Sequence, residues 1–206
     1  MKRSLFFYWI VGIAIAAGAI ALAFCLDNPV RDFVEAHQSR GLRNVMRIVS
    51  LVGNWPGHYY PGLLLAIICW WRGKKNWMRL FAAMVTALCL AGLISRGVNI
   101  VAGRSRPSVA VENVWVGPVF KSKYHSFPSG HVAASSAFFG VLYFANRRVG
   151  RRFMAIPGLI GISRLYLDAH FLSDVVCGGI LGMLCALLTA RLFRVQFDIP
   201  QSKAET

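Results

Sequence analysis

The chain has 206 residues, 56% hydrophobic and only 15% charged, with a formal net charge of +15. So much apolar surface with so few charges argues against a soluble core and for a membrane protein whose loops are basic. Nucleic-acid binding, the other common reading of a strongly basic chain, is excluded because the charges lie between long apolar runs and no groove-reading motif is present. The five cysteines, Cys25, Cys69, Cys89, Cys177 and Cys185, all fall in apolar segments. Without a pairing pattern or a CxxC spacing they read as small buried hydrophobes and do not report the redox compartment.

In chain order, a short positive flank at Lys2 and Arg3 precedes 22 uncharged residues from Leu5 to Leu26, enough to cross a bilayer. This run is longer than the apolar region of a secretory signal and lacks a clear cleavage site, so it is expected to be an uncleaved helix. From Asp27 to Arg47 the chain turns polar, with Val30, Phe33, Val34, Leu42, Val45, Met46 and Val49 at helical spacing. That pattern predicts a short amphipathic helix lying at the membrane surface. Asn54 as cap and Pro56 in the first turn open a second span that ends at Trp70 and Trp71. Further spans are expected at Leu80–Val101, Gly130–Asn146, Phe153–Leu167 and Phe171–Phe193, with a solvated tail after Arg194. Six spans put both termini on one side. Thirteen of the 23 Lys and Arg residues fall in the segments on that side, which the positive-inside rule makes cytoplasmic.

All groups suited to chemistry then face the outer boundary. Arg104-Ser105-Arg106-Pro107 follows the third span, where its arginines could anchor a lipid headgroup or bind substrate. Phe127-Pro128-Ser129-Gly130-His131 opens the fourth. Ser129 as cap, Gly130 allowing close approach and a free helix N-terminus make a ready anion site, with His131 placed to move a proton. Ser163-Arg164, His170 and Asp174 lie around the start of the sixth span. His170 and Asp174 are four apart and share a face if the chain is helical there, so the carboxylate can hold the ring in one tautomer. Asp174 could alternatively serve only as a helix cap.

Arg106-Pro107, Ser129-Gly130-His131 and Ser163-Arg164 with His170 and Asp174 together resemble the three-part signature of the type-2 phosphatidic acid phosphatase superfamily, over Arg96 to Asp174. The resemblance implies an all-α membrane domain of six transmembrane helices occupying residues 1–206, with an extracytoplasmic site that hydrolyses phosphate esters without a metal or cofactor. It implies His170 as nucleophile, Asp174 as its partner, His131 as general acid and base, and Arg106, Arg164, Ser129 and Gly130 as the phosphate cradle. One position departs: where the family has a Lys seven residues before the Arg-Pro arginine, this chain has Asn99. Asparagine cannot neutralise an oxyanion. Arg96, one helical turn earlier, is the expected substitute, with Lys121 and Lys123 as weaker candidates and Asn99 itself as a neutral donor.

The eight acidic residues form no cluster suited to a hard metal, so arginines must offset the charge of phosphoryl transfer. A site at the membrane boundary favours a lipid phosphate. Family members of this size and architecture act on undecaprenyl pyrophosphate, phosphatidylglycerol phosphate, phosphatidic acid or lipid A phosphates, which places the expected substrate in a bacterial cell envelope. A phosphotransferase using the same intermediate, and more distantly a transporter or channel, are the competing readings. The resemblance extends to vanadium haloperoxidases, which are soluble.

Overall fold

In the computed structural model, residues 2–109 and 113–195 are described. The helices in chain order are α1 (Lys2–Cys25), α2 (Asp27–Ala36), α3 (Arg40–Val52), α4 (Trp55–Trp71), α5 (Lys75–Ala102), α6 (Gly130–Ala145), α7 (Arg147–Phe153), α8 (Ala155–Tyr166) and α9 (Leu172–Leu192). Among the described residues there is no strand, only an isolated bridge between Arg104 and Trp115.

The core is the seam between α5, α6 and α9. On α5 the buried positions are Leu80, Ala83, Met84, Ala87, Leu88 and Ala91, the i, i+3, i+4 stripe of a helix packed along one face. One turn further on, the same stripe becomes polar, with Ser95 and Asn99 buried. The helix face that builds the core therefore runs on into the site. On α9 the small residues Gly178, Gly182, Ala186 and Ala190 recur every four positions against Ser129, Ala133 and Ala137 of the α6 segment. Apolar burial gains little between helices in lipid, so close backbone approach through small side chains supplies the contact instead. A Cβ on Gly182 would lie 2.7 Å from Ser136 Cβ and 2.9 Å from the Ala137 nitrogen, with the Ala133 carbonyl closer still. We expect Gly182→Ala to lower the thermal midpoint in detergent by an amount corresponding to about 1–3 kcal/mol of overpacking. An unchanged midpoint would mean that α6 and α9 can separate freely.

Helices occupy each of the six places expected to span. Two of them, α5 and α9, are individually long and apolar enough to cross a membrane, and the Trp9–Cys25 part of α1 joins α2 as a third if that pair, bent by 51°, counts as one span. Exposed Leu64, Ile67, Leu184 and Leu188 on the outer faces suit contact with lipid. The expected fifth helix, 153–167, forms as the 12-residue α8, within two residues at each end, while the basic stretch before it, expected as a connection, is itself the short helix α7. Asn146 accepts a hydrogen bond from the Val149 amide and starts α7 as a new helix directly after α6. The polar stretch after the first span forms two helices, α2 and α3, where one was expected. The cysteines differ from expectation too. All are free, but only Cys185 is buried, while Cys25 and Cys89 are exposed on outward faces where an apolar thiol suits lipid as well as a core. The expected solvated tail lies, beyond Val195, outside the described residues.

Candidate active site

Helix order alone gathers the site at one end of the bundle. It forms where α5 and α8 end and where α6 and α9 begin, whereas Arg72–Arg79 and Arg147–Arg152 lie at the other ends of α5 and α6. At the close of α5, Gly103 takes a left-handed conformation (φ 56°) against Gly117, whose carbonyl a Cβ would strike. The loop it opens is fastened by its backbone: Ser105 N–H donates to Val114, Arg106 N–H to Lys123 and Ser126 N–H to Arg104. Arg106 is thereby fixed although it belongs to no helix.

His170 stands two residues before α9, so it and Asp174 do not share one helical face as the spacing implied. They meet because Asp174 occupies the first turn. His170 Nδ1 is 2.8 Å from the Ser126 carbonyl oxygen, to which it donates, and 3.6 Å from Asp174 Oδ2. The second separation is a charge contact, not a hydrogen bond. With Nδ1 carrying the proton, Nε2 is left as the ring's basic nitrogen. Burial pushes the His170 pKa below the ordinary histidine value, and the neighbouring Asp174 charge only partly opposes that. The ring is therefore neutral at neutral pH. Burial likewise lowers the pKa of Arg106 from the usual arginine value, with Asp174 acting against it.

Asp174 also caps its helix, accepting the Phe171 N–H at 2.8 Å, so the carboxylate that stands 3.6 Å from His170 is at the same time a helix cap. Its Oδ2 accepts from Ser126 Oγ and its Oδ1 from Arg104 Nη1, each at 2.5 Å. Arg104 was expected to share the site with Arg106 but points away from it, into a buried cluster with Asp27 and Ser173.

A cavity of about 610 Å³ is lined by His170, His131, Gly130, Arg106, Asn99 and Arg96, with Asn54, Trp55 and His125 on its wall. Arg164 is buried beside it, its Nη1 held 2.7 Å from Ser50 Oγ of α3. Arg106 and Arg164 both act electrostatically on His170. Ser129 occupies the cap position of α6, but its hydroxyl does not cap. That hydroxyl is buried without a partner among the described residues, as are the Nε atoms of Arg106 and Arg164. Buried donors are normally satisfied, so three unpaired ones around a histidine are the feature that calls for an anion.

On the wall where the family has Lys, Asn99 donates to the Ser95 carbonyl at 2.7 Å and to the Pro128 carbonyl at 3.1 Å, tying α5 to the loop before Ser129. Both amide hydrogens are used, and Oδ1, an acceptor, is left over. Arg96 Nη1 donates to His125 Nδ1 at 2.8 Å, and His125 Nε2 donates in turn to the Val119 carbonyl. Lys121 and Lys123 are exposed in the loop, and neither lines the cavity. Sequence reasoning missed Asp27, Ser50, His125 and Ser126. Only Asp27, the first charge after a long apolar run, carried a local signal.

An all-α bundle with apolar outward faces, and with a histidine, an aspartate and two arginines whose Nε atoms lack partners among the described residues gathered at one end, belongs to the class of helical membrane proteins. The PAP2 superfamily pattern matches residues 77–198, and the chain belongs to that superfamily. It is 33% identical over 117 residues to a lipid A 1-phosphatase of Rhizobium johnstonii, covering 55% of this chain and 46% of that protein. It is also 24% identical over 128 residues to a Bacillus licheniformis protein described as the bacitracin transport permease BcrC, covering 61% and 62% of the two chains. The chain thus spans about half the length of the lipid A 1-phosphatases it matches. Among solved structures, Aquifex aeolicus LpxE has a TM-score of 0.62 at 20% identity, covering 81% of this chain and 95% of that one. The transmembrane PAP2-type phosphatidylglycerolphosphate phosphatase of Bacillus subtilis also has a TM-score of 0.62, at 21% identity over 96% and 98%.

Proposed function

We propose that this protein is an integral membrane phosphatase that hydrolyses a phosphomonoester or diphosphate lipid of the bacterial cell envelope. The observation that carries this reading is the set of unpaired buried donors, Ser129 Oγ and the Nε atoms of Arg106 and Arg164, around a neutral histidine. Undecaprenyl pyrophosphate, phosphatidylglycerol phosphate, phosphatidic acid and lipid A phosphates are the candidate substrates. The relatives described as lipid A 1-phosphatase and phosphatidylglycerolphosphate phosphatase support that group.

In this reading His170 Nε2 attacks phosphorus in line, and the bond from phosphorus to the leaving oxygen breaks as His131 protonates that oxygen. His131 then takes a proton from water, the water oxygen attacks phosphorus, and the nitrogen–phosphorus bond breaks to release phosphate and restore His170. Arg106, Arg164, Ser129 Oγ and the amides at the start of α6 hold the equatorial oxygens. Asp174 stabilises the positive ring. The chain's own cations thus supply the charge that the reaction needs, with no cofactor required. We place six spans in the bacterial plasma membrane, with α2 and α3 at its outer surface, the termini cytoplasmic and the site on the extracytoplasmic face. The segregation of Arg72–Arg79 and Arg147–Arg152 to the opposite end supports that orientation.

Arg96, not Asn99, takes the place of the family's Lys, because Asn99 has spent its hydrogens on backbone carbonyls while Arg96 lines the cavity with donors left over. Arg96→Ala is expected to lower kcat/KM by about 10²-fold or more, the usual scale for losing one preorganised donor. Asn99→Ala should act through loop placement and cost less. Unchanged turnover in Arg96→Ala would refute the substitution. The function itself is tested by presenting purified protein with the candidate lipids and measuring released phosphate. Release without an added acceptor is expected; turnover only when an acceptor lipid is present, with the phosphate recovered on that acceptor and none set free, would make it a transferase.

A further inference from the structure

A densely bonded cluster of buried charges lies behind His170, on the side of Asp174 away from the ring's neighbours Arg106 and Arg164. Arg104 is 4% exposed and divides its guanidinium between two carboxylates, Nη1 to Asp174 Oδ1 at 2.5 Å and Nη2 to Asp27 Oδ2 at 2.7 Å. Ser173 joins the same groups: it receives Arg104 Nη1 at 2.7 Å, and its own hydroxyl and amide donate to Asp27 at 2.6 and 2.8 Å. Phe171, Trp115 and Phe24 surround the guanidinium, with ring centroids 4.2, 4.9 and 5.4 Å away. Asp27 opens α2 and lies before the family match, which begins at residue 77.

An isolated Arg104–Asp174 pair would sum to zero and leave Asp174 little field to offer His170. A second carboxylate on the far side of the arginine changes that. The three buried charges sum to minus one, and the positive charge of Arg104 is shared between two carboxylates instead of cancelling that of Asp174 alone. We infer that Asp27 is a positioning residue for the reaction: by competing for Arg104 and holding Ser173, it preserves the negative charge and the orientation that Asp174 presents to His170. This rests on the reading of His170 as nucleophile. The groups facing His170 are Asp174 on α9, Arg164 on α8, Arg106 and the Ser126 carbonyl in the loop, and His131 on α6. Of these only Asp174 carries a negative charge, so the ring's basicity follows whatever alters that carboxylate.

Two changes at opposite ends of the cluster should therefore have opposite signs. Asp27→Asn leaves Arg104 wholly to Asp174. Arg104→Gln leaves Asp174 without its counter-ion. The experiment is the pH profile of phosphate release from phosphatidic acid in detergent by the purified full-length chain, for wild type, Asp27→Asn, Arg104→Gln and Ser173→Ala. Asp27→Asn is expected to lower kcat roughly tenfold or more with KM little changed, and to move the acidic limb of kcat/KM to lower pH by about half a unit or more. Arg104→Gln should move the same limb to higher pH, and Asp27→Glu should recover part of the wild-type profile. A role confined to folding would reduce the amount of active enzyme and leave the limb where it is, because the limb's position does not depend on how much enzyme is folded. If Asp27→Asn yields no protein, Ser173→Ala carries the test: it removes one bond from each of Asp27 and Arg104 and should shift the limb in the Asp27→Asn direction by less. An unmoved limb in Asp27→Asn, or in Ser173→Ala in its place, overturns the inference while His170→Ala remains inactive. Activity in His170→Ala would instead overturn the reading on which it rests.

Discussion

Replacing His170 by alanine is expected to reduce phosphate release by roughly 10³-fold or more, with the protein still folded. In the proposed mechanism the ring contributes the attacking nitrogen, and its neighbours are poor substitutes: among the described residues His131 lines the same cavity without a carboxylate partner, and His125 is tied on both nitrogens to Arg96 and Val119. The fold should tolerate the change, since the side chain's one hydrogen bond goes to the Ser126 carbonyl. The same ring sets the pH response. Its pKa in the folded protein is lowered by burial, so the neutral, nucleophilic form persists down to a pH below the ordinary value of about 6.5 and is lost only as the pH falls further. The acidic limb of kcat/KM is therefore expected below that value. A limb clearly above it would mean that the charge of Asp174 outweighs burial.

Asp174→Ala is expected to be worse for the protein than His170→Ala. The carboxylate accepts from Arg104, Ser126 and the Phe171 amide, all buried, and its loss leaves each of them short of a partner in a place water does not reach. Removing one member of a buried ion pair costs about 3–5 kcal/mol, and the helix cap about 1 kcal/mol more. Unfolding in detergent should show the lower stability, and phosphate release by the folded fraction should still fall by orders of magnitude. Asp174→Asn keeps the shape and the cap but not the charge. It should recover much of the stability and little of the activity. Recovery of both would mean that the carboxylate's charge plays no part in the reaction.

What could be read from the sequence follows from how far apart the interacting residues lie. Arg106, Ser129, Gly130, His131, Arg164, His170 and Asp174 stand out because each breaks an apolar pattern at a helix end, where charge is costly and so informative. The helices were legible for the same reason, and α4 begins at Asn54 and ends at Trp71 as its cap and aromatic residues imply. Ser50 was not legible, and of Asp27 only its charge after an apolar run was, not its partner. Asp27 meets Arg104 across 77 residues, and Ser50 meets Arg164 across 114. No local spacing encodes such contacts, and both partners sit in a stretch whose hydrophobic period describes only its apolar side. Arg104 and Arg106 look alike in a Gly-Ser-Pro loop, yet the first joins the buried cluster with Asp27 and the second lines the cavity. Helix α7 was hidden because its four arginines read as a connection between spans.

The two-step path through a covalent histidine is the central claim, and the stereochemical course at phosphorus tests it most directly. A lipid phosphorothioate made chiral at phosphorus with two oxygen isotopes, hydrolysed in water carrying the third, should yield chiral inorganic thiophosphate with net retention. Each in-line displacement inverts the centre, first at His170 and then at water, and two inversions restore it. Net inversion would contradict the account, because it would mean that water attacks the lipid phosphate directly and that His170 acts only as a base.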